Sequence, residues 1–238
     1  MSQPSYFGIE SWTAWSPSLR SPNDWLSWAV TPFTLIGSEK PKVDGMQPMN
    51  RRRLKQLGGM ALETAYNLPQ TVAPIIFCSQ RGESTRCYEL LQELTETGKL
   101  SPQSFSLAVH NSIPSLYTID RKLNSNVIAI SSNAGIFSAL AEAIGLFADG
   151  EKRVRIIVAE EPIPDIYRSY CEFPDEAFAY AIDLIPVREF ALSFFNAKEI
   201  KSNDVNISIN LGVLRYVLSK DRNYEAIVDS TSWRLKRV

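Results

Sequence analysis

The chain has 238 residues, 45% of them hydrophobic and 21% charged, with Lys+Arg 25 against Asp+Glu 26. That length carries a core without metals or disulfides, and the composition excludes a mostly disordered chain. The net charge of −1 supplies no global field for nucleic acid or an anionic membrane. One histidine, His110, excludes any mechanism or metal site that needs two from this polypeptide, and 11 glycines leave little material for glycine-rich phosphate loops.

Residues 1–50 are rich in Trp, Pro and Ser, and Trp12, Trp15, Trp25 and Trp28 are four of the five tryptophans. Rings at that density cover something. The expectation is an edge strand at Ile9–Trp12 and a short helix at Asp24–Ala29, both packed onto the globule. Pro48 to Arg53 then reads as the opening of a helix running from Leu54 to about Asn67, with Leu54, Leu57, Ala61, Leu62 and Ala65 on its buried face. Cations at a helix start are mildly unfavourable, so Arg51, Arg52 and Arg53 are candidates for facing an acidic partner.

Pro74–Cys78 reads as a buried strand. Ser84 or Thr85 caps a helix with a Tyr88, Leu91, Leu94 stripe, ended by Gly98. Ser101-Pro102 opens a short helical segment containing Phe105, and a helix from Ile113 to about Leu123 follows His110 and Asn111. Val127–Ser131 reads as a second buried strand, entering a tight turn, Ser132-Asn133-Ala134-Gly135. The helix after it runs to about Ala148. Val154–Ala159 is a third strand ending in Glu160-Glu161-Pro162. Ala177–Leu184 and Glu189–Phe195 read as separate strands, Val205–Ile209 is ambiguous, Leu211–Leu218 is a late helix, and Arg234–Arg237 reads as a solvated basic tail. Strands alternating with helices imply an α/β sheet with parallel members.

Cys78, Cys87 and Cys171 form no C-x-x-C, which implies free thiols in a reducing cytosol. No basic n-region precedes an apolar h-region, and the apolar stretches fall short of the ~18 residues of a span. The expectation is a cytoplasmic protein with no membrane span and no nucleic-acid partner.

Four stretches together resemble the N-terminal half of the β-ketoacyl synthases, the condensing enzymes of fatty acid and polyketide assembly. They are Phe77-Cys78-Ser79-Gln80-Arg81-Gly82-Glu83 with Arg86, residues 100–111 (LSPQSFSLAVHN), the strand–turn–helix Ile128–Ala143, and residues 159–164 (AEEPIP). The chain is most similar to the short ketosynthase-like subunit, the chain length factor, of bacterial aryl polyene clusters. The resemblance covers residues 7 to 168.

The resemblance implies an α/β, thiolase-like fold: the N-terminal half of a ketosynthase with a truncated C-terminal part, in one domain over 1–238. Residues 70–168 are its core and 169–238 a divergent closing part. Half of that fold leaves one sheet face bare, to be covered by the C-terminal segment or by another subunit. Ketosynthases place a cysteine at the helix start after the central strand, where helix dipole and backbone N–H groups lower the thiol pKa and hold an oxyanion. Two histidines from the second half assist it. Here the matching position falls at Asn133, flanked by Ser131, Ser132, Ala134 and Gly135, and no histidine follows His110. The implied role is a non-catalytic subunit of an acyltransferase complex, paired with a full-length, Cys-containing ketosynthase. It would stabilise that partner and bound the acyl-chain tunnel. Phe105, Leu107, His110, Asn111, Ile113, Ile128, Ile136 and Phe137 are the candidate interface or tunnel residues. Arg51, Arg52 and Arg53 are candidates for facing an acyl carrier protein with its phosphopantetheine-linked substrate. No cofactor or metal is expected on the chain itself.

Rival readings are a small acyltransferase or hydrolase using Ser131 or Ser132, and an acyl-carrier-binding regulatory module. The first lacks a G-x-S-x-G and has only His110 as an imidazole base. Glu160, Glu161 and Asp165 form an acidic cluster where α/β sites often lie.

Overall fold

The structure, a computed structural model, describes residues 4–170, 175–197 and 207–238. Cys171 and the first two residues of the ambiguous 205–209 stretch lie outside them. The described elements are β1 (Ser5–Trp15), α1 (Pro22–Val30), α2 (Pro48–Arg51), α3 (Gln56–Asn67), β2 (Ile75–Cys78), α4 (Ser84–Thr97), α5 (Pro102–Ser106), α6 (Ser112–Arg121), β3 (Val127–Ile130), α7 (Ile136–Ala148), β4 (Val154–Glu160), β5 (Phe178–Asn196), α8 (Ile209–Leu218), β6 (Asn223–Val228) and β7 (Thr231–Arg237).

The strands form one mixed seven-stranded sheet in the order β3-β2-β4-β5-β7-β6, with β1 paired along β5. β2 is parallel to both β3 and β4, and β5 is antiparallel to β1, β4 and β7. Alternation along the central strands divides the core in two. Ile76, Cys78, Val154, Ile156 and Val158 face a layer with Trp25, Trp28, Phe137, Leu140 and Leu214. Ile75, Phe77, Ile157 and Ala159 face a layer with Leu57, Met60, Leu62, Ile113 and Tyr117. Neither sheet face is therefore bare: α8 completes the side that α7 begins, so the C-terminal segment supplies the cover. The N-terminal tryptophans pack as expected, with Trp25 and Trp28 buried edge to face against each other.

β1 is the expected edge strand, longer than its sequence pattern indicates. The two strands expected at 177–195 are one. β5 runs 19 residues, and its pairing to β1 jumps from Gly8↔Ile185 to Phe7↔Phe190. Residues 186–189 bulge out of the ladder there, and Pro186 cannot donate to it.

Five expectations fail for identifiable reasons. The arginine triplet does not open α3: the chain closes α2 at Arg51 and begins α3 only at Gln56, leaving Arg52 and Arg53 exposed in the turn. α4 has no hydroxyl cap. The buried carboxylate of Glu161 accepts from Thr85 N (3.1 Å) and from Leu57 N at the start of α3 (3.2 Å), serving two helix N-termini at once. The buried ridge of α4 is Arg86 and Leu90, because Arg86 pairs inside with Glu83 at 2.6 Å; Leu91 and Leu94 face solvent. The basic tail is the sheet strand β7. Leu235 is buried, and Arg237 lies over Phe190 and donates to carbonyls of Tyr216, Val217 and Ser219 at the α8 C-terminus, where a cation is favoured. β6, which precedes it, carried no recognised sequence signal. The Asp229-Ser230 turn joining the two has positive φ at both residues, the hairpin geometry.

β3 is the fifth. Its pattern, Val127-Ile128-Ala129-Ile130, reads as a buried strand, yet it is an edge. Among the described residues it pairs only with β2, Ala129 is exposed, and the three large residues are half-buried.

One polar group in the core was also missed. Arg155, inside the apolar run of β4, makes a bidentate buried pair with Asp183 of β5 at 2.7 and 2.8 Å. Its remaining N–H groups reach Tyr117 Oη (2.9 Å) and Pro69 O (2.7 Å).

Candidate functional site

The parallel strands β2, β3 and β4 all end at one edge of the sheet, where α/β folds bind ligands. The turn 131–135 lies there, between β3 and the first turn of α7. Gly135 sits at φ +51, a region where a side chain is strained. A Cβ at Gly135 would also lie 2.2 Å from Asn210 Oδ1.

Asn210, from the first turn of α8, decides the shape of this site. Its Oδ1 accepts from Ile136 N at 2.8 Å, capping α7, and its Nδ2 donates to Glu160 Oε1 at 3.2 Å. Glu160, buried at the end of β4, also accepts from Gln80 N (2.7 Å) and Ser79 Oγ (3.3 Å). Burial pushes its carboxyl up to about 7 against the hydrogen bonds and the nearby Arg81, which oppose the shift. The space left between Gln80, Ser132, Asn133, Glu160 and Asn210 is about 50 Å³. That holds a few waters and is far below an acyl-binding cavity.

Asn133, the residue that the family resemblance assigns to the nucleophile position, is exposed and held from both sides. Gln80 Nε2 donates to its Oδ1 (3.2 Å) and its Nδ2 donates to Asp229 Oδ2 of the β6–β7 turn (3.2 Å). Ser131 Oγ donates to Gln80 O (2.9 Å), and Ser132 Oγ shares a hydrogen bond with Ser138 Oγ (2.8 Å). These partners are a carbonyl and a hydroxyl, neither of which is a base. His110 is spent elsewhere: its Nε2 meets Ser79 O at 3.2 Å, and its ring lies against Gly82, where a Cβ would approach Cε1 to 2.6 Å. Burial raises the thiol pKa of Cys78 and of Cys87, so neither carries the lowered value of a nucleophilic cysteine.

The acidic cluster does not assemble. Glu160 and Glu161, consecutive at a strand end, point to opposite sides. The first serves the β2–α4 loop and α8, the second the starts of α3 and α4. Asp165 is exposed and pairs with Arg168 at 2.6 Å.

The candidate interface residues separate by burial. Phe105 and Asn111 are exposed, and Leu107, His110 and Ile128 are half-buried. Ile113, Ile136 and Phe137 are enclosed by this chain's own core, so they present no surface to a partner or a tunnel. Phe137 stacks between Trp233 (5.3 Å) and Tyr224 (6.2 Å) of the C-terminal hairpin, which no local sequence pattern reveals. Arg51 pairs with Asp44 at 3.4 Å, while Arg52 and Arg53 extend from the surface. Asn210, Gln80 and Asp229, which build the site, escaped the sequence reading. The only local signal was a Ser208 cap two residues before Asn210.

The model of the family described as "Beta-ketoacyl synthase, N-terminal domain" matches residues 25–235. The chain belongs to that family. No curated protein matches it in sequence. Among solved structures, this ketosynthase-like chain superposes with TM-score 0.84 and 25% identity on a chain of the ketosynthase ApeO in complex with its chain length factor ApeC from Xenorhabdus doucetiae, covering 98% of this chain and 99% of that one. It matches the ishigamide ketosynthase/chain length factor with TM-score 0.64 and 12% identity over 82% and 68% of the two chains. It matches the AntDE:AntF complex, a type II polyketide synthase acyl-carrier protein with its ketosynthase, with TM-score 0.72 and 10% identity over 99% and 100%. The last two establish the thiolase-like fold alone. Among the described residues, no helix of the ketosynthase-like chain is long and apolar enough to cross a membrane.

Proposed function

We propose that this chain is a non-catalytic chain length factor that pairs with a Cys-containing ketosynthase in aryl polyene-type polyketide synthesis, in the cytoplasm. The observation that carries the reading is the nucleophile turn. Residues 131–135 contain no cysteine and the resemblance assigns Asn133 to the nucleophile position, the α7 N-terminus is already occupied by Asn210, and the single histidine is committed to a backbone carbonyl. Among the described residues, no thiolate, base and free oxyanion donor pair meet at one point, which condensation requires.

The pairing is supported by the exposed edge of β3. A four-residue apolar strand with one unpaired edge is a template for another chain. Phe105, Leu107, Asn111 and Ile128 lie on the adjoining segments and supply contact surface. Exposed Arg52 and Arg53, with Arg51, offer a basic patch to an acidic acyl carrier protein bearing the phosphopantetheine-linked chain. The serine-hydrolase reading is disfavoured by the partners of Ser131 and Ser132.

Co-expression with the neighbouring ketosynthase tests this. The two proteins co-purify in fixed stoichiometry, condensation requires the partner's cysteine, and Ala129→Arg on the β3 edge abolishes the complex while the chain keeps its circular dichroism. Condensation by this chain alone, or an intact A129R complex, refutes the reading.

A further inference from the structure

A groove of about 510 Å³ lies away from the nucleophile turn, between the 37–43 segment and the α2–α3 junction. Its volume falls within the range of small-molecule sites. One wall is apolar, from Pro17, Pro41, Val43 and Leu54. The other carries Lys40, Arg51 and Lys55; its lining carboxylate, Glu39, is engaged by Arg20 at 2.8 Å, and Arg51 meets Asp44 beside the groove at 3.4 Å. Lys40 is exposed and has no ion-pair partner among the described residues. Lys55 reaches Glu89, yet desolvation and the Arg86 cation hold its ammonium pKa below the ordinary value. Lys40 therefore brings a cation with no ion-pair partner among the described residues to the groove.

It is also preformed. Val43, β-branched and buried in the wall, holds φ +49 with its N–H on Glu63 Oε2 at 2.5 Å. Such a residue in the left-handed region is a true outlier, and outliers of this kind gather at ligand sites. The walls are closely joined: a Cβ on Gly59 would lie 2.8 Å from Pro41 Cγ, and one on Gly37 2.7 Å from Pro17 O.

We propose that this groove binds an organic anion, an apolar chain ending in a carboxylate or a phosphate, with Lys40 and Arg51 at the charged end and Pro41, Val43 and Leu54 along the chain. The site stands independently of the pairing function. The anion can be a free acid or a phosphate ester, and the probes separate them. The full chain, purified with its ketosynthase where the two co-purify, is irradiated with a diazirine-bearing decanoic acid or the corresponding decyl phosphate, and labelled peptides are mapped by mass spectrometry. Labels fall on residues 37–43 and 54–59, are competed by unlabelled decanoate or decyl phosphate, and drop at least fivefold in K40E/R51E with unchanged circular dichroism. K40E alone, at an exposed and unpaired position, gives a partial loss should the double variant fold poorly. The stronger-labelling probe identifies the head group. Absence of label from these peptides, label that does not compete, or label indifferent to K40E overturns the proposal.

Discussion

Replacing Asn210 by alanine tests how the nucleophile turn is held. The carboxamide makes two buried hydrogen bonds, 2.8 Å from Ile136 N and 3.2 Å to Glu160. Removing it takes the acceptor from the buried first-turn N–H of α7, at a cost of about 1–3 kcal/mol for an unsatisfied buried group. The loss of one Glu160 donor adds about 1 kcal/mol. A total of about 2–4 kcal/mol corresponds to a fall in Tm of about 4–16 °C for a domain of this size. Thermal and urea unfolding followed by circular dichroism read it directly. Asn210→Asp separates the two bonds: the acceptor for Ile136 N survives, but a second carboxyl meets Glu160, so its loss is larger at pH 8 than at pH 5. An N210A stability within about 0.5 kcal/mol of wild type refutes the assignment of Asn210 as the structural plug of this site.

Glu160 predicts a pH dependence of its own. Its folded-state pKa is raised from the ordinary 4.5 to about 7 by burial, so the folded chain holds this proton more tightly than the unfolded chain. Stability from this group is greatest below about pH 4.5 and declines as pH rises through about 7, on the order of 3 kcal/mol in all. Glu160→Gln flattens that part of the pH–stability profile in urea titrations, and an unchanged slope contradicts the assignment. Asp183→Ala leaves Arg155 charged and buried and costs about 3–5 kcal/mol by denaturant unfolding; a smaller loss is expected of the double change Arg155→Met with Asp183→Leu, which removes both charges. Ala129→Arg blocks complex formation with the ketosynthase in gel filtration without lowering Tm by more than about 1 kcal/mol equivalent, since the position is already exposed.

Sequence alone determined the α/β order of elements, the strands β2 and β4, the helices α6, α7 and α8, the packing role of the tryptophans and, through the LSPQSFSLAVHN and AEEPIP segments, the family. Those signals are local. Apolar runs, caps and breakers act within a few residues, and the missing cysteine at 131–135 is a matter of inventory. Tertiary structure decided the rest, because it depends on which strangers meet. β3 has the composition of a buried strand and lies at an edge only because the sheet order ends there. Arg234–Arg237 has the composition of a tail and is a strand because β5 extends far enough to receive it. Asn210 and Ile136 are 74 residues apart, so no periodicity connects them; packing α8 beside α7 turned an ordinary asparagine into the cap that fills the site.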